Sequence, residues 1–305
     1  MYQEFFQLQQ MPFALTPDTQ LYFNRHSHRE ALNTLLVALR HSEGFIKIVG
    51  EVGTGKTILC RKLLSCLNDN FVTAYIPNPN LTPAELKSLF AEEIGIAADP
   101  SIPAHTLLGL AYRRLIEFAR EGRQVVLVID EAQAMPKETL EALRLLTNLE
   151  TDKRKLLQVV LLGQPELDHL LASSDLRQLR QRIVFSERLR PFTLKEVREY
   201  LRHRLAAAGA RKNPFTASAM TLLAYASGGT ARIVNILAHK ALMSAFGRGE
   251  HRVTSFHVAR AITDTEESRW LGKLLAWRWR LVFPLLGSAS ILILFVSWHA
   301  RELLS

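Results

Sequence analysis

The sequence predicts an α/β fold in which a parallel sheet is flanked by helices. A small all-helical domain follows, and then one hydrophobic helix near the C-terminus. Three observations predict this. Short runs of apolar and β-branched residues alternate with helical segments up to Pro191; after it the strand signals stop and glycine-punctuated helices take over; and residues 281–298 carry no charge. Alternation of strands buried on both faces with helices is the pattern of a sheet built from parallel crossover units.

Along the chain, residues 1–44 read as a leader ending in a helix. Pro12, Pro17 and several aromatic residues punctuate it, and His28 to Arg40 has helical periodicity. Glu4 stands where a secretory signal would place basic residues, so no signal peptide is expected. Phe45–Val49 reads as a strand and Ile58–Leu64 as the start of a helix. Phe71–Ile76 is a second strand. Thr82-Pro83-Ala84-Glu85 is a capping box with proline in the first helical position, so a helix begins there. His105–Arg120 and Lys137–Leu146 read as helices. Val125–Ile129 and Leu157–Leu162 read as strands buried on both faces. Beyond Pro191 the expected helices are Leu194–Ala208, Ala217–Ala226, Thr230–Phe246 and Ser255–Thr263. The domains expected are the leader (1–44), an α/β domain (45–191), a helical domain (192–267), a basic tryptophan-rich linker (268–280), a membrane-spanning helix (281–298) and a short tail (299–305).

As a helix, residues 281–298 would extend about 27 Å at about 1.5 Å per residue, enough for a bilayer core of about 30 Å. Trp277, Trp279 and Trp298 flank the run as interfacial anchors. Lys273, Arg278 and Arg280 precede it, and Arg301 alone follows. The positive-inside rule then keeps the bulk of the chain in the cytoplasm.

The 305 residues carry 38 Lys+Arg against 29 Asp+Glu, a net charge of +9. That balance suits anionic partners such as nucleotides, nucleic acid or a membrane surface, without choosing among them. The two cysteines, Cys60 and Cys66, rule out a disulfide framework and a zinc spacing, and read as buried reduced thiols. His26 and His28 have no cysteine or carboxylate set nearby and read as surface residues.

The strongest chemical signal is Gly50-Glu51-Val52-Gly53-Thr54-Gly55-Lys56-Thr57, which fits G-x-x-x-x-G-K-[ST] between a strand and a helix. Glycines let backbone N–H groups curl around phosphate oxygens, and the helix N-terminus adds positive potential. Gly50 to Ile58 are therefore expected to bind the phosphates of ATP. Lys56 would reach the β- and γ-phosphates, and the Thr57 hydroxyl would ligate Mg²⁺. The run 125–129 ends in Asp130-Glu131, expected on a buried strand beside the P-loop strand. Asp130 would hold Mg²⁺, directly or through water, and Glu131 would polarise the attacking water as general base. The strand 157–162 ends in Gly163-Gln164-Pro165-Glu166, so Gln164 can touch the γ-phosphate or the water; an ordinary turn amide is the alternative. Arg177, Arg180, Arg182, Arg188 and Arg190 form a cluster from which one could reach a neighbouring subunit's nucleotide; a solvated basic face is the alternative. Gly228-Gly229-Thr230-Ala231-Arg232 puts an arginine in the first turn of a helix, within reach of a nucleotide or simply on the surface. Asn78 and Asn80, at the end of the second strand, are candidates to tether Glu131.

Taken in order, these features resemble an AAA+ ATPase, a P-loop NTPase fold with a helical lid. More narrowly they resemble the ExeA/GspA secretion ATPases over roughly residues 1–265. The matching residues are Pro12-Phe13, Pro17-Asp18, the P-loop, Asp130-Glu131-Ala132-Gln133, Leu162-Gly163-Gln164-Pro165-Glu166-Leu167, Gln181-Arg182-Ile183 and Arg232-Ile233-Val234-Asn235. The resemblance implies that Gln164 is the sensor 1 residue, Arg232 sensor 2, and Arg182, with Arg180 behind it, the arginine finger. It implies a homo-oligomer, often a ring. GspA-type proteins continue past their membrane helix into a peptidoglycan-binding domain that this sequence lacks. The short form is similar to the ATPases of MSHA-type pilus biogenesis. That implies a bacterial inner-membrane ATPase acting with a pilus or secretion assembly protein. Two other readings stay open: a DNA-binding AAA+ regulator of the transposition type, which the hydrophobic segment disfavours, and a nucleotide-gated scaffold with little turnover.

Overall fold

The computed structural model describes residues 2–14, 22–23, 25–42, 44–97, 102–151 and 154–266. In chain order their elements are α1 (Tyr2–Phe5), α2 (His26–Arg40), β1 (Phe45–Gly50), α3 (Lys56–Cys66), β2 (Phe71–Ile76), α4 (Pro83–Glu93), α5 (Ala104–Arg120), β3 (Gln124–Ile129), α6 (Lys137–Leu146), β4 (Glu150–Thr151), β5 (Arg154–Lys155), β6 (Leu157–Gly163), α7 (Glu166–Leu171), α8 (Arg177–Gln181), β7 (Ile183–Leu189), α9 (Leu194–Ala207), α10 (Ala217–Ala226), α11 (Ala231–Phe246) and α12 (Ser255–Thr263). They fall into two compact units. The described residues from 22 to 192, with Thr230–Arg232, form one; those of 2–14, 193–229 and 233–266 form the other.

The first unit is built on a five-stranded parallel sheet in the order β2-β3-β6-β1-β7. Successive side chains of a strand point to opposite faces, and the core divides accordingly. Phe45, Val49, Leu127, Val159 and Leu161 pack on one face with residues of α4, α5, α6 and α7. Ile46, Ile48, Val126, Val128, Val160 and Leu162 pack on the other with α2 and α3. Every residue of β6, and all but the first of β3, is buried, which is why these segments read as continuous apolar runs. Helix α4 starts at the expected capping box: Thr82 accepts from the Glu85 N–H, and the Glu85 carboxylate accepts from the Thr82 N–H.

The second unit is helical. Thr193 and Glu196 form a capping box that starts α9, Thr216 caps α10, and Thr254 caps α12. The Tyr200 hydroxyl donates to Asn235 Oδ1 at 2.8 Å, joining α9 to α11 inside the core. Residues 2–14 belong here. Phe13, 2% exposed, packs edge-on against Phe215, and the Arg204 guanidinium donates to the carbonyls of Pro12 and Ala14.

Several expectations change. The leader 1–44 is not one piece: residues 2–14 lie in the helical unit and 25–42 in the sheet unit, because Tyr2, Phe6 and Phe13 are buried there and Tyr2 and Phe5 pack against His239 and Phe246 of α11. The arginine cluster contains an unexpected fifth strand, β7. It is an edge strand with exposed Val184, Ser186 and Arg188, so it lacks the apolar run that reveals a central strand. The strand bearing Asp130-Glu131 does not adjoin the P-loop strand; β6 lies between them. Cys60 is buried, but Cys66, at the last turn of α3, is exposed. His28 is buried, as the first residue of the α2 stripe that continues through Ala31, Leu32 and Leu35. Residues 268–280 and the hydrophobic run 281–298 lie outside the described residues. Among the described residues no helix is long and apolar enough to cross a membrane.

Candidate functional site

The strand order sets the site. Residues following the C-terminal ends of β1, β6 and β3, three neighbouring strands, bring together the P-loop, Gln164 and the acidic pair. Ligands of open parallel sheets bind in this kind of crevice.

The loop from Gly50 to Gly55 turns through two positive-φ glycines, Gly53 (+75°) and Gly55 (+97°). Space is as restrictive as angle. A β-carbon on Gly53 would stand 2.7 Å from Arg232 Cβ, and one on Gly55 would stand 2.8 Å from His28 Nε2. Only glycine lets the backbone pass this closely. Helix α3 begins at Lys56, so Lys56, Thr57 and Ile58 form its first turn, where unpaired N–H groups favour an anion. Glu51 and Val52 are exposed at the loop's outer edge, and Thr54 is buried, its hydroxyl donating to the Glu51 carbonyl at 2.8 Å.

Lys56 is 5% exposed, and its ammonium donates to the carbonyls of Gly50 at 2.8 Å and Glu51 at 3.2 Å. Burial pulls its pKa below the ordinary lysine value; the charges of Glu131, Asp130, Glu51 and Glu166 oppose that shift. The Thr57 hydroxyl donates to Asp130 Oδ2 at 2.9 Å, and Asp130 Oδ1 accepts from the Glu131 N–H at 2.9 Å. Burial raises the Asp130 carboxyl pKa against these hydrogen bonds. A hydroxyl and a carboxylate side by side make a hard-oxygen pair that suits Mg²⁺, an ion that keeps most of its waters and takes few protein ligands. Among the described residues no group of three or more His, Cys, Asp or Glu forms a metal cluster of another kind.

Glu131 has φ +52°, a left-handed conformation uncommon outside glycine. Its Oε2 accepts from Gln133 Nε2 at 2.6 Å and from Gln164 Nε2 at 2.9 Å. Burial pushes its carboxyl pKa up, but the two amide donors and Lys56 outweigh that and hold it below the usual range. Asn78 and Asn80 are exposed, and the amides on Glu131 are those of Gln133 and Gln164 instead.

Arg232 stands beside the P-loop by its backbone, its N–H donating to the Gly53 carbonyl at 3.3 Å while its side chain is exposed. Arg182 is not brought to this crevice. Its guanidinium donates to the Arg144 carbonyl at 3.2 Å and Thr147 Oγ1 at 3.0 Å, at the C-terminal end of α6. Arg177, Arg180, Arg188 and Arg190 are exposed.

Two neighbours of the site escape a reading by motif. Gln133 belongs to Asp130-Glu131-Ala132-Gln133, where its spacing from Glu131 within a one-turn 3₁₀ helix was the available signal. His28 lies under the P-loop. It hydrogen-bonds the backbone of Thr54 and Gly55, and its Nδ1 accepts from Arg25 Nε at 2.7 Å, so Nε2 carries the ring hydrogen. Arg25 in turn stacks on Phe192 and donates to the Arg190 carbonyl. Burial, with Arg25 adding to it, drives the His28 pKa down to about 3.

Residues 39–171 match the AAA domain family. The chain is 38% identical over 299 residues to General secretion pathway protein A of Aeromonas hydrophila; the alignment takes in 98% of this chain and 54% of that protein, so the chain spans about half the length of the curated relative it matches. Among solved structures, it is similar to Cdc6p of Pyrobaculum aerophilum (TM-score 0.65, 18% identity, 81% of this chain and 71% of that one). It is also similar to a Walker-type ATPase of Pyrococcus abyssi (TM-score 0.61, 18% identity, 88% and 80%) and to the ORC2 protein of Aeropyrum pernix (TM-score 0.61, 16% identity, 81% and 72%). At these identities the structural matches establish the fold. The chain therefore carries an AAA-type nucleotide-binding domain of the P-loop fold, and over nearly its whole length it is similar to General secretion pathway protein A.

Proposed function

We propose that this chain is a Mg²⁺-dependent ATPase of the AAA+ type that serves a secretion or pilus assembly apparatus at the bacterial inner membrane. The observation that carries it is the convergence of Lys56, Thr57, Asp130 and Glu131 in one crevice, with Thr57 bonded to Asp130. In this reading Gly50–Ile58 cradle the phosphates, and Lys56 exchanges its two carbonyl partners for phosphate oxygens. Thr57 and Asp130 would hold Mg²⁺, which would supply positive charge beside the phosphates. Glu131 takes the proton of the attacking water, and Gln164 orients the same water or the γ-phosphate. Arg232 acts as sensor 2, supported by its place beside Gly53.

A finger contributed by Arg180 or Arg182 would make the active form a homo-oligomer, in which each site is completed by a neighbour. Arg180 is exposed, whereas Arg182 would first give up its bonds to Arg144 and Thr147. The helical residues 192–267 would serve as the lid, residues 281–298 as a single-pass anchor with the ATPase in the cytoplasm, and a membrane-embedded assembly protein as the partner. The duty closest to this reading is MSHA-type pilus biogenesis, as for MshM.

The test is ATPase assay and nucleotide binding on the full chain in lipid. Lys56→Ala should lose nucleotide binding, and Glu131→Gln should bind nucleotide with turnover gone. Turnover by Glu131→Gln at the wild-type rate would refute the base assignment. Recovery of the full chain in the soluble fraction would refute the anchor, and salt-sensitive DNA binding by residues 1–268 would favour the DNA-regulator reading suggested by the net charge of +9.

A further inference from the structure

We infer that Gln133 is a positioning residue for hydrolysis, which fixes the carboxylate of Glu131 so that one of its oxygens is left to receive the proton of water. This rests on Glu131 being the base and adds the group that aims it.

Three hydrogen bonds close a small ring. Gln133 Nε2 donates to Glu131 Oε2 at 2.6 Å, Gln164 Nε2 donates to the same oxygen at 2.9 Å, and the Gln164 N–H donates to Gln133 Oε1 at 2.9 Å. The last bond sets which way the Gln133 amide faces, because its oxygen is committed to a backbone N–H and its nitrogen must then point at the carboxylate. Both amide donors end on Oε2. A carboxylate held through one oxygen by two donors from different directions has little freedom to rotate, and Oε1 is the atom left to accept from water.

The local fold is arranged around this contact. Glu131 sits at φ +52°, and residues Ala132–Ala134 turn at once into a single 3₁₀ turn that carries Gln133 back over the carboxylate. Residue 163 is glycine where a β-carbon would stand 3.2 Å from Gln133 Oε1 and 2.7 Å from Leu167 Cδ2. Left-handed backbone is unfavourable at a non-glycine residue, and such conformations persist where surrounding bonds over-determine them. Among the described residues the side-chain hydrogen bonds of Gln133 go to Glu131 and to the backbone of Gln164, two groups at the reaction centre, which separates it from a side chain that only braces the turn. The charged groups around the ring are Asp130 from the same strand end and Lys56 from α3, the latter also facing Glu51 and Glu166.

The experiment compares Gln133→Met and Gln133→Glu with Glu131→Gln and the double variant Glu131→Gln/Gln133→Met, all in the full chain with lipid. It measures kcat, KM, nucleotide Kd and Tm. Methionine keeps the length and removes every bond of the ring made by Gln133. Glutamate keeps an acceptor for the Gln164 N–H and removes the donor to Glu131. The expected result is a kcat lower by roughly 10–100-fold in Gln133→Met, the scale of a misaimed reacting group, with Kd and Tm close to wild type. Gln133→Glu should lose at least as much, and the double variant should be no slower than Glu131→Gln, since a residue acting through Glu131 has nothing left to act on. An unchanged or raised kcat in Gln133→Met overturns the inference, as does a fall in kcat matched by a rise in Kd and a fall in Tm, or wild-type turnover by Gln133→Glu. If Glu131→Gln itself hydrolyses ATP normally, the base assignment fails and this inference with it. An inactive Glu131→Gln beside a fully active Gln133→Met sinks the positioning role alone.

Discussion

Gly55→Ala tests the close approach of the P-loop to His28. Two separate penalties arise there. The backbone stands at φ +97°, where any L-residue is strained by on the order of 1–2 kcal/mol. The added methyl would also stand 2.8 Å from His28 Nε2 and 3.3 Å from Ile58 Cγ2, well inside van der Waals contact. His28 is 3% exposed and hydrogen-bonded at both ring nitrogens, so it has little room to retreat; overpacking of this kind costs about 1–3 kcal/mol. Together these come to about 2–5 kcal/mol, a drop in Tm of roughly 4–20 °C for a unit of this size. The strain and the clash separate in a double-mutant cycle with His28→Ala. The clash with His28 vanishes when the imidazole is gone, while the backbone strain and the contact with Ile58 stay. The Gly55→Ala penalty should therefore shrink by about 1–3 kcal/mol on the His28→Ala background. Thermal and urea unfolding of the four proteins read this directly. Equal penalties on both backgrounds would refute the contact between His28 and the loop, and no penalty on either would refute the positive-φ geometry.

The same histidine sets a pH dependence. Its folded pKa, about 3, lies below the unfolded value near 6.5, so below pH 6.5 the unfolded chain takes up a proton that the folded one refuses. Stability should fall as pH drops from about 6.5 toward 3, by up to ~1.4 kcal/mol per pH unit from this group. Urea midpoints at pH 7 and pH 5 should converge in His28→Gln relative to wild type, and an identical pH slope in the two would contradict a neutral buried imidazole. In the helical unit, Thr193→Ala removes the hydroxyl that accepts from the Glu196 N–H in the α9 capping box, while the backbone N–H at that position still donates to the Glu196 carboxylate, and it should cost about 0.5–2 kcal/mol in unfolding free energy; an unchanged stability would show that the cap is satisfied by water.

The parts of the fold legible in the sequence are those whose signal is local. Strands β3 and β6 are buried on both faces and so appear as uninterrupted apolar runs, and the capping box at Thr82 announces α4 because the two partners are three residues apart. The P-loop is legible for the same reason: a tight turn around an anion needs glycines and a lysine at fixed spacing within one segment. Strand β7 is not legible because an edge strand carries polar residues on its exposed positions, among them Ser186 and Arg188. His28 shows the converse failure. It is a polar residue by type, but its position at the head of the apolar stripe of α2 places it inside.

The sequence by itself determined the alternation of strands and helices, the P-loop glycines, and the acids at the end of a buried strand. Each of these follows from backbone sterics and burial over fewer than a dozen residues. The tertiary structure alone decided that β6 lies between β1 and β3. That order carries Gln164 to Glu131 across 33 positions of sequence and joins Thr57 to Asp130 across 73. It also decided that Gln133 closes the ring on Glu131, that His28 supports the loop beneath Gly55, and that Arg182 spends its guanidinium on α6. Strand order and side-chain partners depend on contacts between distant segments, and the energy of a hydrogen bond is settled by where its partners end up in space, which no local pattern of residues records.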